Sequence, residues 1–106
     1  MGSRLGIESH VRNGIGTVRV RGEVDLHSVD ELVDAASAVT TAGGRVELDL
    51  REVAFIDSAG VAGLNRCRRQ AQQQDAQLVV VCVASSPVSR LLHWTGLASV
   101  VEVRAD

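Results

Sequence analysis

One run of apolar residues limits the folds open to this chain more than any other feature. Leu78-Val79-Val80-Val81-Cys82-Val83 contains no charged or amide side chain, and most of its residues are β-branched. Such a run predicts a strand covered on both faces, the usual surroundings of an interior strand in a parallel sheet.

Strands and helices alternate along the remainder of the chain. Apolar and polar residues alternate at 46–51, which is the period of a half-buried strand. Asn13-Gly14 between two short runs predicts a tight β-hairpin at the N-terminus. The expected strands are 5–11, 15–20, 46–51, 78–83 and 100–103, and the expected helices are 29–42, 59–74 and 87–95.

This order predicts an α/β fold in a single domain over residues 1–106, which is long enough for one core. We expect a mixed, mostly parallel sheet of about five strands, roughly three to four helices and an N-terminal β-hairpin. Gly22-Glu23-Val24-Asp25 is expected to leave the sheet after the second strand. Residues 1–4 are expected to be disordered or, at Met1-Gly2-Ser3, a remnant of expression.

Polar residues predict where the helices begin. Ser28 with Glu31 fits a capping box, in which the Ser side chain bonds to the backbone at Glu31. Ser86, followed by Pro, is the expected N-cap of the third helix. At the second helix two arrangements are open: Ser58 is the N-cap, or Asp57 caps the helix and Ser58 is its first residue.

Ser58 is the candidate functional residue that this stretch of the chain provides. Its hydroxyl is expected to be exposed beside free backbone N–H groups, at the positive end of a helix that can hold an anion. Most N-cap Ser residues have no other role, so position alone does not make Ser58 a functional site. A hydrolase is disfavoured because Ser58 lacks a G-x-S-x-G elbow, and Gly60-Val61-Ala62-Gly63 lacks the dinucleotide-binding pattern.

Composition argues against two further classes of partner. Aromatic residues make up only 2%, so the chain lacks the stacking platforms that bind single-stranded nucleic acid. The formal charge is −2 and there is no basic run, which argues against direct nucleic-acid binding. No stretch approaches the ~20 apolar residues that span a membrane, and no signal peptide is recognisable, so we expect a cytoplasmic protein without membrane contact.

Cys67 and Cys82 are too few and too far apart in sequence to indicate a zinc site. We expect two small buried side chains, with a regulatory disulfide as the alternative. No cluster of metal ligands and no cofactor motif is recognisable, so we predict no cofactor.

The segment Phe55-Ile56-Asp57-Ser58-Ala59-Gly60-Val61 has the form of a D-S-x-G loop, and three other segments accompany it in order. They are Gly22-Glu23-Val24-Asp25-Leu26, Val79-Val80-Val81 and Leu91-Leu92-His93-Trp94-Thr95-Gly96-Leu97. In sequence and spacing they resemble STAS domains, specifically the stand-alone anti-sigma-factor antagonists of bacteria. The resemblance runs from about Ile15 to Val103. Ala59 stands where the commonest form of the motif has a second Ser.

The resemblance implies a switch that regulates transcription, for example in a stress response, and not an enzyme. In the family the Ser at the position of Ser58 is the phosphorylation target. The unphosphorylated protein binds an anti-sigma factor that is also a serine kinase, and so frees a sigma factor. Phosphorylation dissolves this complex, and a phosphatase acting on Ser58 would restore it. ATP and magnesium would belong to the kinase.

Sheet geometry predicts which residues would accompany Ser58 in such a contact. The end of the second strand should lie near the ends of the other parallel strands, which brings Glu23 and Asp25 close to Ser58. The alternative is that these are solvated loop carboxylates. The predicted partner-binding residues are Glu23, Asp25, His27, Asp57, Ser58, Ala59 and Gly60.

Two alternatives stay open at this point. Stand-alone STAS subunits of ABC-type lipid transporters also resemble this pattern, with a structural and non-phosphorylated role, often with Thr at the position of Ser58. The Ser here favours the switch. Trp94 either packs under the last turn of the third helix or, if exposed, anchors a partner.

Overall fold

The computed structural model describes residues 5–106, so the expectation for residues 1–4 lies outside the described residues. The strands are β1 (Leu5–Arg12), β2 (Ile15–Val24), β3 (Arg45–Ile56), β4 (Gln77–Cys82) and β5 (Glu102–Ala105). The helices are α1 (Val29–Val39), α2 (Ser58–Gln73) and α3 (Pro87–Trp94), followed by a 3-10 turn at Leu97–Ser99. The strands form one sheet in the order β1-β2-β3-β4-β5.

The sheet is mixed, as predicted. β1 pairs with β2 antiparallel, and the remaining neighbours pair parallel. The hairpin turn is Asn13-Gly14, whose φ angles of 53° and 77° are the two positive values that a type I′ turn requires. The predicted α/β fold with an N-terminal hairpin is therefore confirmed.

The core lies on one face of the sheet, beneath the three α-helices. The buried apolar side chains of α1, α2 and α3 all belong to this core, where they meet the inward side chains of the strands. The fully buried residues include Val18, Val20, Leu32, Val33, Val46, Leu48, Leu50, Leu64, Val80 and Leu92. Burial of these Val and Leu side chains supplies most of the driving force for folding in a chain with so few aromatic residues.

On the opposite face of the sheet, residues 5–106 place charged side chains and no second helical layer. Val79 on this face is 0% exposed, yet its strand neighbours there are Glu47 and Glu102. Arg104 pairs with Glu47 at 2.7 Å, and Arg51 pairs with Asp49 at 2.8 Å. We name this surface the open sheet face. The prediction of an interior parallel strand covered on both faces is confirmed, since Val79 and Val80 point to opposite faces and are both 0% exposed. On the open sheet face long charged side chains provide the cover.

β2 and β3 extend further than predicted. Gly22, Glu23 and Val24 were expected to leave the sheet, but they stay in β2, paired with Val53, Phe55 and Ile56. Two register shifts interrupt this pairing, and Gly22 adopts φ 108° at one of them. Such bulges bend a strand without ending its pairing, which explains why the Gly did not terminate β2.

The end of α1 and the start of β5 also differ from the predictions. α1 ends at Val39 and not near Gly43, because Thr40 is extended and its hydroxyl donates to the Ala36 carbonyl. The last strand begins at Glu102 and not at Val100. Gly96, with φ 79°, starts the 3-10 turn, and Val100 N donates to the Leu97 carbonyl.

Asp49→Asn tests the ion-paired cover of the open sheet face. The guanidinium of Arg51 hydrogen-bonds to Asp49 and holds the pKa of that carboxyl below its usual range. A lowered folded-state pKa adds stability above the unfolded pKa, and this contribution is lost as the pH falls through the folded pKa. We expect Asp49→Asn to lower the free energy of unfolding by about 1 kcal/mol at pH 7 and by less in acid, measured by denaturant unfolding.

Glu8→Gln is the matched control, since Glu8 is more exposed and meets Arg21 at 3.4 Å. It should change stability less than Asp49→Asn does at pH 7. An equal loss for Asp49→Asn at neutral and acid pH would contradict the assigned role of the carboxylate.

Candidate functional site

The parallel pairing of β2 with β3 places two loops on one edge of the sheet. Val24 pairs with Ile56 at the ends of these strands, and Asp57 N donates to the Val24 carbonyl at 3.2 Å. The loop that follows β2 and the start of α2 therefore lie side by side. We name this edge the Ser58 rim.

Asp57 caps α2, which decides between the two predicted arrangements. Its backbone is extended, with φ −109° and ψ −172°, and its Oδ1 accepts a hydrogen bond from Gly60 N at 3.0 Å. Ser58 is therefore the first residue of the helix, and it is exposed. Within residues 5–106 the Ser58 hydroxyl makes no hydrogen bond, so it is available to a partner.

Close packing of the helix start explains why Gly follows Ala59. A Cβ atom at Gly60 would lie 2.5 Å from Ile56 Cγ1 and 2.9 Å from the Val24 carbonyl oxygen, so a larger residue would push α2 away from the strand ends. Gly60 is buried and Ala59 is half-buried. Of the D-S-x-G segment, Ser58 accordingly presents the exposed side chain with reactive chemistry.

The loop after β2 is organised by Ser28, in a way that the sequence did not indicate. The predicted capping box is wrong: the Ser28 side chain does not cap α1. Instead its hydroxyl is buried, donates to the Glu23 carbonyl at 2.8 Å and accepts from Asp25 N at 3.0 Å. Tertiary contacts within the loop satisfy this hydroxyl, so it is not free to cap the helix.

Asp25 is a structural residue as well as a candidate contact. Its Oδ1 accepts a hydrogen bond from His27 N at 2.9 Å and lies 3.2 Å from Ser28 Oγ. Its carbonyl accepts from Val29 N at 2.9 Å, at the start of α1. The interpretation of Asp25 as a merely solvated carboxylate is therefore wrong. Glu23 and His27 are exposed beside it, as expected for residues that a partner contacts.

An uncharged groove opens at Ser58, and no pattern in the sequence predicts it. Its lining includes Ser58, Val61, Ala62, Thr95, Leu97 and Val100. We name it the Ser58 groove. One wall is α2 and the other is the turn after α3, and these are too distant in the chain for periodicity or spacing to relate them.

Several large apolar side chains of this domain are exposed. Leu26 and Phe55 lie in and beside the Ser58 rim and are 71% and 48% exposed. Trp94 is 91% exposed, so the interpretation that it packs under α3 is wrong. The alternative, that Trp94 is available to a partner, agrees with its exposure.

A family model for the STAS domain matches residues 6–106. The chain belongs to the STAS domain family. This confirms the family suggested by the D-S-x-G segment and the three segments that accompany it.

Relatives of this STAS domain match over nearly their whole length. The anti-sigma-B factor antagonist of Staphylococcus aureus is 29% identical over 100 residues, which covers 93% of this chain and 92% of the relative. An anti-sigma factor antagonist from Mycobacterium paratuberculosis has a TM-score of 0.82 at 23% identity, over 96% and 86% of the two chains. Unphosphorylated SpoIIAA, also an anti-sigma factor antagonist, has a TM-score of 0.68 at 19% identity, over 96% and 88%.

A metal site, a reactive thiol and a membrane-spanning helix are all absent from residues 5–106 of this STAS domain. Residues 5–106 contain no group of three His, Cys, Asp or Glu side chains arranged to hold a metal ion. Cys67 and Cys82 are free and buried, as predicted; burial raises the pKa of Cys67 to about 12 and also raises that of Cys82. Both thiols therefore stay protonated and unreactive near neutral pH. No helix in residues 5–106 has the length and apolar character needed to cross a membrane.

Asp57→Ala tests the cap that fixes Ser58 at the first helical position. Removing the carboxylate leaves Gly60 N without its acceptor, so we expect the free energy of unfolding to fall by about 1 kcal/mol. Asp57→Asn keeps a side-chain oxygen that can accept from Gly60 N, so the free energy of unfolding should fall by only roughly a few tenths of a kcal/mol. Both values are measured by denaturant unfolding at neutral pH, and equal stability of Asp57→Ala and wild type would show that the cap is unimportant.

Proposed function

We propose that this STAS domain is an anti-sigma-factor antagonist, a protein-binding switch and not an enzyme. Its unphosphorylated form binds an anti-sigma factor that is also a serine kinase and thereby releases a sigma factor. Phosphorylation of Ser58 abolishes that binding. The observation that carries the proposal is the exposed Ser58 hydroxyl, which stands at the first position of α2 and has no hydrogen bond within residues 5–106.

The relatives support the same role. The relatives from Staphylococcus aureus and Staphylococcus epidermidis are anti-sigma-B factor antagonists, and each match covers 93% of this chain and 92% of the relative. SpoIIAA, which shares the fold, also has a solved structure in its phosphorylated form, with a TM-score of 0.66. Phosphorylation is therefore compatible with this fold.

The start of α2 can accept a phosphate without local unfolding. Asp57 already satisfies Gly60 N, whereas the first N–H groups of the helix have no intrahelical acceptor and face the position of Ser58. A phosphate adds a charge of about −1.5 to −2 at pH 7, directly after Asp57 in the chain. We therefore infer that phosphorylation releases the partner by charge and bulk, while the fold of the domain persists.

The remaining components follow from the same chemistry. The kinase supplies ATP and magnesium, and a phosphatase acting on Ser58 resets the switch. Both enzymes need access to Ser58 Oγ, which the exposed position at the Ser58 rim provides. We place these events in the cytoplasm, where sigma factors act, and assign this domain no direct contact with nucleic acid.

Ser58→Ala tests whether this hydroxyl is the switch. The recombinant anti-sigma factor, identified by capture on the immobilised chain, is titrated with each variant in the presence of ATP and magnesium. Wild type should lose binding over time as Ser58 is phosphorylated, whereas Ser58→Ala should stay bound. Both proteins should unfold within about 0.5 kcal/mol of each other, because Asp57 and not Ser58 caps α2.

Ser58→Glu completes the comparison. A carboxylate carries less charge than a phosphate, so we expect weaker binding with partial mimicry. The assignment is wrong if wild type and Ser58→Ala respond identically to ATP and the kinase. That outcome would favour the structural, non-phosphorylated role known for STAS subunits of transporters.

Glu23→Arg tests the charge of the Ser58 rim. Glu23 is exposed, and the loop uses its backbone carbonyl and not its carboxylate, so the substitution should leave stability within about 0.5 kcal/mol. If the kinase presents a basic side chain to this loop, reversing the charge should weaken binding by about tenfold or more and slow phosphorylation of Ser58. Calorimetric titration and a phosphorylation time course measure the two effects.

Charge reversal at Asp25 or Asp106 is unsuitable for this test, because each carboxylate makes a contact within the domain. Asp25→Arg would break the loop, and Asp106→Arg would break a 3.0 Å pair with Arg51. Asp34→Arg makes the same charge change at an exposed position on α1. The end of α1 lies against Gly16 at the start of β2, so α1 runs away from the Ser58 rim. Equal binding by Glu23→Arg and Asp34→Arg would contradict a specific contact at Glu23.

A further inference from the structure

The Ser58 groove differs in character from the rest of the surface. Its eight lining residues include no Asp, Glu, Lys or Arg, although charged residues make up 23% of the chain. Val61 and Ala62 on α2 face Leu97 and Val100 across it, and Ser58 lies at one end. Val61, Ala62, Leu97 and Val100 are the apolar half of this lining, and Ser58, Asn65, Thr95 and Gly96 are the other half. The groove is suited to an uncharged side chain that contacts its apolar half, because a charged one would lose water there without gaining an ion pair.

Exposed apolar residues lie in the second wall of the groove and directly before it in the chain. Trp94 immediately precedes the lining residue Thr95 and is 91% exposed, and Val100 is 58% exposed. The register of α3 fixes this exposure: Leu92 is fully buried, and the residue two positions later lies about 200° around the helix. Gly96, with φ 79°, then ends α3, so Trp94 is held at its last turn.

We propose that the protein which reads Ser58 also packs apolar side chains into the Ser58 groove and against Trp94, which makes Trp94 a binding hot spot. This inference rests on the proposed function and extends it to a surface outside the D-S-x-G segment. An exposed Trp that adjoins a lining residue of an uncharged groove is of the residue type that most often dominates binding energy at protein interfaces.

The position of Ser58 favours the kinase as the occupant over a second copy of this chain. A kinase must bring the γ-phosphate of ATP against Ser58 Oγ, so its surface necessarily covers the end of the groove. A second copy has no such requirement at Ser58. The kinase contact and the groove are therefore continuous, and one partner can occupy both.

The groove also gives phosphorylation a second means of releasing the partner. A phosphate on Ser58 would stand at the end of an apolar contact that must lose its water when the complex forms. Burying that charge without an opposing one is unfavourable, and the groove has no charged residue to compensate it. Release would then follow from desolvation as well as from the bulk and charge of the phosphate.

The test compares Trp94→Ala with a matched control in binding to the recombinant anti-sigma factor, identified by capture and then purified. We expect Trp94→Ala to raise Kd by about tenfold or more, and Trp94→Phe to raise it less. Val11→Ala is the control, because Val11 is 48% exposed in the N-terminal hairpin, away from the Ser58 rim. It should leave Kd within about twofold of wild type.

The single Trp provides an independent readout of contact. Labelling with 5-fluorotryptophan gives one fluorine NMR signal, since the chain contains one Trp. That signal should shift when the unlabelled anti-sigma factor is added, and it should return toward its free position when Ser58 becomes phosphorylated. The melting temperature of Trp94→Ala should match that of wild type, because the side chain is almost fully exposed.

The outcomes separate this inference from the proposed function. If Ser58→Glu weakens binding but Trp94→Ala behaves like Val11→Ala, the groove inference is overturned and the switch stands. If neither Ser58→Glu nor Trp94→Ala changes Kd, both are overturned. If Trp94→Ala lowers the mass measured by sedimentation while Kd for the anti-sigma factor is unchanged, the occupant is a second copy, and the inference is again overturned.

Discussion

β2 and β3 remain paired in parallel as far as Val24 and Ile56, whereas β3 and β4 separate after Asp49 and Val81. The extra length of this one pair carries two loops beyond the rest of the sheet and holds them side by side. Bulges at the register shifts bend the pair without breaking it. The Ser58 rim exists because these two strands continue together where their neighbours stop.

The start of α2 is then fixed by residues other than Ser58. Asp57 satisfies the backbone at Gly60, and the absence of a side chain at Gly60 lets the helix reach Ile56 and the Val24 carbonyl. The helix cap therefore requires Asp57, and the close packing requires Gly60. The side chain of Ser58 is exposed and makes no hydrogen bond within residues 5–106. A modification at Ser58 changes charge at the surface without removing a contact that the fold needs.

Local chemistry made part of this structure predictable. Asn13-Gly14 requires nothing beyond its own turn, and the alternation at 46–51 needs only one buried face, so both were correct from sequence. The capping role given to Ser28 failed because its hydroxyl bonds instead to the backbone of Glu23 and Asp25. The Ser58 groove could not be predicted at all, since its walls come from segments that only the folded sheet brings together.

The two faces of β4, which forms most of the apolar run at 78–83, are buried by two different kinds of cover. Val79 is as fully buried as the core residues, although its face of the sheet carries no helix in the described chain. The aliphatic stems of Arg side chains and their carboxylate partners supply the cover, with Arg104 to Glu47 at 2.7 Å across the neighbouring strands. One face of the sheet is therefore stabilised by helix packing. The other face is stabilised by charged pairs that cover Val79 while remaining partly exposed to solvent themselves. The three helices lie on a single face of the sheet. The Ser58 groove, which is lined by α2 and by the turn after α3, and Trp94, at the end of α3, therefore belong to the helical side of the domain.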